Sequence, residues 1–189
     1  MNVQISRSMD SSAFLAWVAG REERYELAKG RVVMMTGGSR GHGYITRKFA
    51  NAVENRLDGD KWAVWTSDFA VGIDSGTVRY PDVVVDAVGN PWGDLVATTP
   101  ALIGEVLSPS SVTTDLGDKA AEYLQLPGLL AYLVLSQDEP KAWPWARGEF
   151  GFTAEVVTGE DGIIRIPALS IELPLSEIYA GFARSSSND

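Results

Sequence analysis

Tyr80-Pro81-Asp82-Val83-Val84-Val85 and Leu102-Ile103-Gly104-Glu105-Val106-Leu107 are the stretches on which the reading of this chain turns. Each holds an apolar run of strand length, rich in branched residues, as strands buried in a sheet are. Each also carries one carboxylate, Asp82 opening the first run and Glu105 inside the second. Acidic side chains ordinarily stay in water, so a carboxylate beside or within such a run demands a reason. If the two strands are neighbours, both carboxylates converge on one hard cation such as Mg²⁺, which takes oxygen ligands and keeps several waters. A site of that kind suits phosphodiester hydrolysis, because the cation polarises the phosphoryl oxygen and lowers the pKa of a bound water.

Downstream of Glu105, Ser108-Pro109-Ser110-Ser111 breaks the run, and Asp115 to Leu126 reads as a helix ended by Pro127-Gly128. Lys119 stands four residues after Asp115, on the same helix face. It is either half of a plain Asp115–Lys119 surface pair or a cation that orients water and stabilises charge on a phosphate. Ala131 to Leu135 returns as a strand. Pro140 to Trp145, Phe150 to Val157 and Ile163 to Ile166 read as a strand meander, and Leu175 to Tyr179 as a final helical turn.

Upstream, Asp10, Ser11 or Ser12 caps a short helix that stops at Gly20. Arg24 to Leu27 and Arg31 to Met35, joined by Ala28-Lys29-Gly30, predict a hairpin. Ile45, Phe49, Val53 and Leu57 recur every four positions and predict an amphipathic helix from about Arg40. Ala63 to Trp65 and Phe69 to Ile73 are further strand candidates. The turn Asp74-Ser75-Gly76 is read as leading to the Asp82 strand. The architecture expected is α/β (α+β), helices on a mixed sheet with added hairpins. It is expected as one domain over 1–180, followed by a tail at 181–189.

Two other residues could join the site. Glu26, in Tyr25-Glu26-Leu27, is either an edge-strand residue paired with Arg24 or Arg31 or a further acid near the cation. His42 is the single histidine and follows Gly37-Gly38-Ser39-Arg40-Gly41. It could start the helix, contact a phosphate or ligate a metal. No Ser-His-Asp or Gly-x-Ser-x-Gly pattern is present. Trp62, Trp65, Trp92, Trp143 and Trp145 are read as core and hairpin packing rather than base-stacking platforms.

At 189 residues, with 45% hydrophobic and 22% charged residues, the chain can bury a core of its own. It has no cysteine, which excludes disulfides and thiolate metal sites. No apolar stretch approaches bilayer length, so no membrane association and a cytoplasmic location are expected. The net charge of -9 opposes approach to a polyanion, although bound divalent cations offset part of it.

Taken together, Arg24-Tyr25-Glu26-Leu27 with Gly30-Arg31-Val32-Val33, Met35-Thr36-Gly37-Gly38-Ser39 with His42, Tyr80-Pro81-Asp82-Val83-Val84, Glu105-Val106-Leu107-Ser108-Pro109-Ser110, Asp115 with Lys119 and Tyr123, and Leu173-Pro174-Leu175 resemble the Uma2 (DUF820) family of the PD-(D/E)xK nuclease superfamily. The resemblance runs from about Ser11 to Tyr179. It implies a restriction-endonuclease-like core and a Mg²⁺- or Mn²⁺-dependent endonuclease acting on DNA. Asp82 and Glu105 would be metal ligands, Lys119 and Glu26 would complete the catalytic set, and His42 would be accessory. A homodimer is expected, as for many enzymes that cut duplexes. Leu107 stands where the superfamily pattern places its lysine, and the resemblance implies that Lys119 on the following helix replaces it. The alternative, motivated by Leu107 and the acidic pI of about 4.6, is an inactive nuclease-fold protein that binds nucleic acid or regulates a partner.

Overall fold

The computed structural model describes residues 4–108 and 114–182. Among them the chain is α+β, with three sheets and few helices. The largest sheet has seven strands. Its path runs β12 (Gly151–Ala154), β11 (Lys141–Gly148), β10 (Ala131–Leu135), β9 (Leu102–Val106), β7 (Val83–Ala87) and β4 (Trp62–Thr66), with β13 (Val157–Thr158) also on β11. The second sheet is ordered β1 (Gln4–Ser8), β3 (Arg31–Met34), β2 (Tyr25–Ala28), β6 (Thr77–Arg79), β5 (Ala70–Asp74) and β8 (Val96–Ala97). The third contains only β14 (Ile163–Ile166) and β15 (Ile171–Pro174).

The central strands of the seven-stranded sheet are buried on both faces, which explains why β7, β9 and β10 are continuous apolar runs. Strand pleating sorts their side chains. Leu102 and Val106 face a cluster with Ile45, Phe49 and Val53 of helix α2 (Arg40–Glu54). Ile103 and Leu107 face the opposite cluster, with Ala120 and Tyr123 of helix α3 (Lys119–Tyr123) and Val71 of β5. Glu105 lies between Ile103 and Leu107 and so belongs to the α3 face.

Helix α2 forms where its four-residue apolar period predicts, and the Ser39 hydroxyl caps it by accepting the His42 N–H at 3.0 Å. Phe49 rests directly on the backbone of Gly104, where an added Cβ would lie 2.2 Å from Phe49 Cε1. The N-terminal helix α1 (Ser11–Val18) is capped by Asp10 and buries Phe14 against the second sheet. Lys29 and Gly30 both have positive φ, the geometry of a tight hairpin turn between β2 and β3. No helix among the described residues is long and apolar enough to cross a membrane.

Several expectations need correction. The turn at Asp74–Gly76 joins β5 to β6 within the second sheet, and β7 belongs to another sheet altogether. Strand β6 is only three residues long and lacks a readable alternation, so its Arg79 escaped the sequence reading. The C-terminal meander is interrupted, because β14 leaves β11 and β12 to pair with β15. The expected Asp115–Leu126 helix divides into a π-helical turn at Thr114–Asp118 and α3 proper. There the Asp115 carbonyl accepts from the Tyr132 hydroxyl at 2.8 Å, an anchor outside the helix. Trp92 is almost fully exposed, with Trp65 edge-on to it at 5.9 Å, so it is not core packing. Pro109 to Ser111 and, from the expected tail, 183–189 lie outside the described residues.

Two glycine substitutions should move stability in opposite directions. Gly104→Ala forces a methyl into the Phe49 ring and should cost at least about 1–3 kcal/mol. Gly43→Ala, inside α2 with open space around it, should add about 0.5–1 kcal/mol from helix propensity. Urea unfolding of both variants checks this, and a neutral Gly104→Ala would contradict the close contact.

Candidate active site

Strands β7 and β9 are antiparallel neighbours, with Val83 opposite Gly104. That register sets Asp82, just before β7, beside Glu105. The contact is direct, since Asp82 Oδ2 accepts the Val106 N–H at 2.8 Å. Asp82 lies two residues from Val84, which faces the α3 side, so both carboxylates lie on the same face of the sheet. The sequence reading made their convergence conditional on adjacent strands, and the strands are adjacent.

Lys119 is buried on α3, and its Nζ lies 3.0 Å from Glu105 Oε1, 3.2 Å from Asp115 Oδ1 and 3.7 Å from Glu26 Oε1. The Asp115–Lys119 pair is therefore present but is not on a solvated face. Tyr123, one turn further along α3, donates its hydroxyl to the same Glu105 oxygen at 3.1 Å. The superfamily position at Leu107 is occupied by an apolar side chain packed into the α3-side cluster.

Glu26 is not at an edge and pairs with neither Arg24 nor Arg31. Strand β2 lies between β3 and β6, and Glu26 Oε2 accepts from Arg79 Nη1 at 2.9 Å. Arg79 in turn meets both oxygens of Glu122, at 2.9 and 3.1 Å. Arg79 and Glu122 were missed by the sequence reading. The available signal was an arginine immediately before Tyr80-Pro81-Asp82 and a glutamate three residues after Lys119 on the same helix. His42 lies in the first turn of α2, and its Nε2 is 3.0 Å from Asp82 Oδ2. Glu26, His42, Arg79, Asp82, Glu105, Asp115 and Lys119 line one cleft of about 960 Å³, which Arg24, Arg47, Tyr80 and Gln137 also line.

The electrostatics follow from burial. Glu26, Glu105, Asp115 and Glu122 are buried and Asp82 nearly so, against only two buried cations among the described residues, Arg79 and Lys119. Burial pushes the Glu105 carboxyl up to about 8; Lys119 opposes that rise, while Asp82, Asp115 and Glu26 add to it. Burial acts to lower the Lys119 pKa, but Glu105, Glu26 and Asp115 outweigh it, so the pKa is raised and the side chain stays an ammonium. The hydrogen bond to Asp82 raises His42 above its ordinary value against the effect of burial.

This donor set fits a hard divalent cation. The ligand atoms are carboxylate oxygens, and the excess negative charge lacks a protein counter-ion. Asp82 Oδ1 and Glu105 Oε2 take no hydrogen bond from the described residues. No three acidic or histidine side chains among the described residues converge as a complete cage. An ion held by Asp82 and Glu105 would therefore keep several waters, as Mg²⁺ commonly does.

Known proteins resemble this chain in sequence or in fold. Residues 11–176 match the model of the Uma2 family, described as "Putative restriction endonuclease". Two Synechocystis proteins, both named as uncharacterized, are similar in sequence. The protein slr1290 is 27% identical over 173 residues, covering 90% of each chain. The protein sll1609 is 27% identical over 141 residues, covering 72% of this chain and 80% of its own. A crystal structure from Anabaena variabilis, described as "a putative nuclease belonging to DUF820", superposes with a TM-score of 0.75 at 14% identity, covering 91% of this chain and 98% of that one. That structural likeness supports the fold, and the family match over most of the chain supports more: this protein belongs to the Uma2 family.

Proposed function

We propose that the chain is a divalent-metal-dependent endonuclease that hydrolyses phosphodiester bonds in DNA. The observation that carries this reading is the Lys119 ammonium, 3.0 Å from Glu105 on the sheet face that Asp82 shares. A catalytically idle fold has no need to bury a lysine among three carboxylates beside an open cleft, because each buried ion costs several kcal/mol in lost hydration.

Asp82 and Glu105 would hold Mg²⁺ or Mn²⁺, which when bound supplies Lewis-acid activation of the phosphodiester and of a water. The chain's own groups do the rest. Lys119, held protonated, is a donor and a positive charge rather than a general base; it orients the incoming water and neutralises charge developing on the phosphate. Asp115 Oδ1, 3.2 Å away, pairs with the ammonium from another side. His42 and the Val106 N–H fix Asp82 Oδ2, leaving its second oxygen toward the cleft. Arg24 and Arg47 line the cleft and offer contacts to backbone phosphates.

Asp82→Ala and Glu105→Ala should each abolish Mg²⁺- or Mn²⁺-dependent nicking of plasmid DNA while melting cooperatively, and chelation by EDTA should do the same to the wild type. Lys119→Met should lower kcat by about 10²- to 10³-fold, the scale set by loss of one positioned charge-stabilising donor. Metal-dependent cleavage retained by both carboxylate variants would sink the reading. A folded wild type that binds DNA without cutting it under any divalent ion would favour the inactive nucleic-acid-binding alternative.

Metal affinity should depend on pH. Glu105 keeps a proton up to about pH 8, and a cation must displace it. Mn²⁺ binding should therefore strengthen as pH rises from about 6 to about 8 and release a proton at the lower end. Calorimetry in two buffers of different ionisation enthalpy measures that release. The metal-free protein should show the linked effect in stability: the folded carboxyl titrates above its ordinary 4.5, so this group's contribution falls as pH rises between about 4.5 and about 8. Proton-independent Mn²⁺ binding at about pH 6 would contradict both.

A further inference from the structure

Arg79 touches neither Asp82 nor Glu105, yet it is among the most deeply buried charges in the described chain, with its side chain 7% exposed. Its guanidinium uses Nε and Nη2 on the two oxygens of Glu122, at 2.9 and 3.1 Å, and Nη1 on Glu26 Oε2, at 2.9 Å. That is the planar fork by which arginine, unlike lysine, serves two carboxylates at once. Glu122 lies on α3, the helix that carries Lys119. Glu26 and Arg79 lie on β2 and β6, neighbouring strands of the other sheet.

We propose that Arg79 is a positioning residue: clamped by Glu122, it satisfies Glu26 and thereby leaves the Lys119 ammonium hydrogen-bonded to Glu105. The distances carry the argument. Glu26 Oε1 receives the Tyr80 N–H at 3.4 Å and lies 3.7 Å from Lys119 Nζ, beyond hydrogen-bond range, whereas Glu105 Oε1 is 3.0 Å from the same ammonium. The two carboxylates compete for one flexible cation, and less than an ångström separates the outcomes. Without Arg79, Glu26 is a buried anion whose nearest cation is Lys119, and in this low-dielectric setting the ammonium moves to it. The positive charge is then withdrawn from Glu105 and from the phosphate.

This inference rests on reading Lys119 as the cation of the site. Clamp loss should displace the Lys119 ammonium and slow turnover, and the displacement should reverse when the Glu26 charge is removed, which general structural damage would not do. The test uses the full chain and the charge-balanced variant Arg79→Met/Glu122→Gln, which leaves Glu26 as the only carboxylate deprived of its partner. The Lys119 Nζ resonance, assigned by its loss in Lys119→Arg and recorded by NMR without metal, reports the position of the ammonium directly. It should shift in the double variant and return on adding Glu26→Gln. Arg79→Lys, which keeps the charge but loses the fork, should shift the resonance in the same direction by less, and covers the case in which the double variant does not fold. An unmoved Lys119 resonance in folded Arg79→Lys and in the folded double variant overturns the proposal, as does a shift that adding Glu26→Gln fails to reverse. If the resonance moves and returns as expected while wild type cuts no DNA, the nuclease reading fails and the clamp stands.

Discussion

The antiparallel pairing of β7 with β9 is the constraint on which the rest of the site depends. It places Val83 opposite Gly104, which brings Asp82 level with Glu105, and the Val106 N–H then anchors one Asp82 oxygen. A slip of one residue would send Glu105 to the α2 face, under Phe49, because side chains alternate across a strand. Register is held from both sides. Phe49 lies against Gly104, where no larger residue fits, and the branched side chains of β7 fill the core on either face.

Given that pairing, the remaining problem is electrostatic. Five acidic side chains gather at one end of the sheet, and burial makes each of their charges costly. The chain answers with two cations of different character. Arg79, with its rigid fork, bridges Glu26 and Glu122 and ties the second sheet to α3. Lys119, a compact charge on a flexible stem, faces the cleft among Glu105, Asp115 and Glu26. The negative charge left over is what a divalent ion can neutralise, and the Glu105 carboxyl is raised chiefly by burial, with the neighbouring carboxylates adding to it.

The departure at Leu107 has a simple geometric account. Residue 107 follows Glu105 on the same face, directly beneath α3, where an apolar side chain joins Ile103, Ala120 and Tyr123 in a closed core. Lys119 of α3 brings its ammonium to Glu105 on that same face, while the strand position serves packing.

Much of this protein was legible in its sequence. The four-residue period of α2, a cap at Asp10 among the candidates offered, the Lys29-Gly30 hairpin and the apolar strands β7, β9 and β10 are local consequences of side-chain chemistry, and so is the oddity of carboxylates within apolar runs. The partners of those carboxylates were not legible. That Glu26 meets Arg79, that Lys119 is buried rather than solvated and that His42 reaches Asp82 depend on contacts between residues far outside one helical turn or hairpin, up to 53 positions apart. Local pattern carries no information about which of several charges a buried carboxylate will find. Only the pairing of strands and the seating of α3 on the sheet decide that, because an ion excluded from water must take whichever counter-charge the tertiary structure brings within about 3 Å.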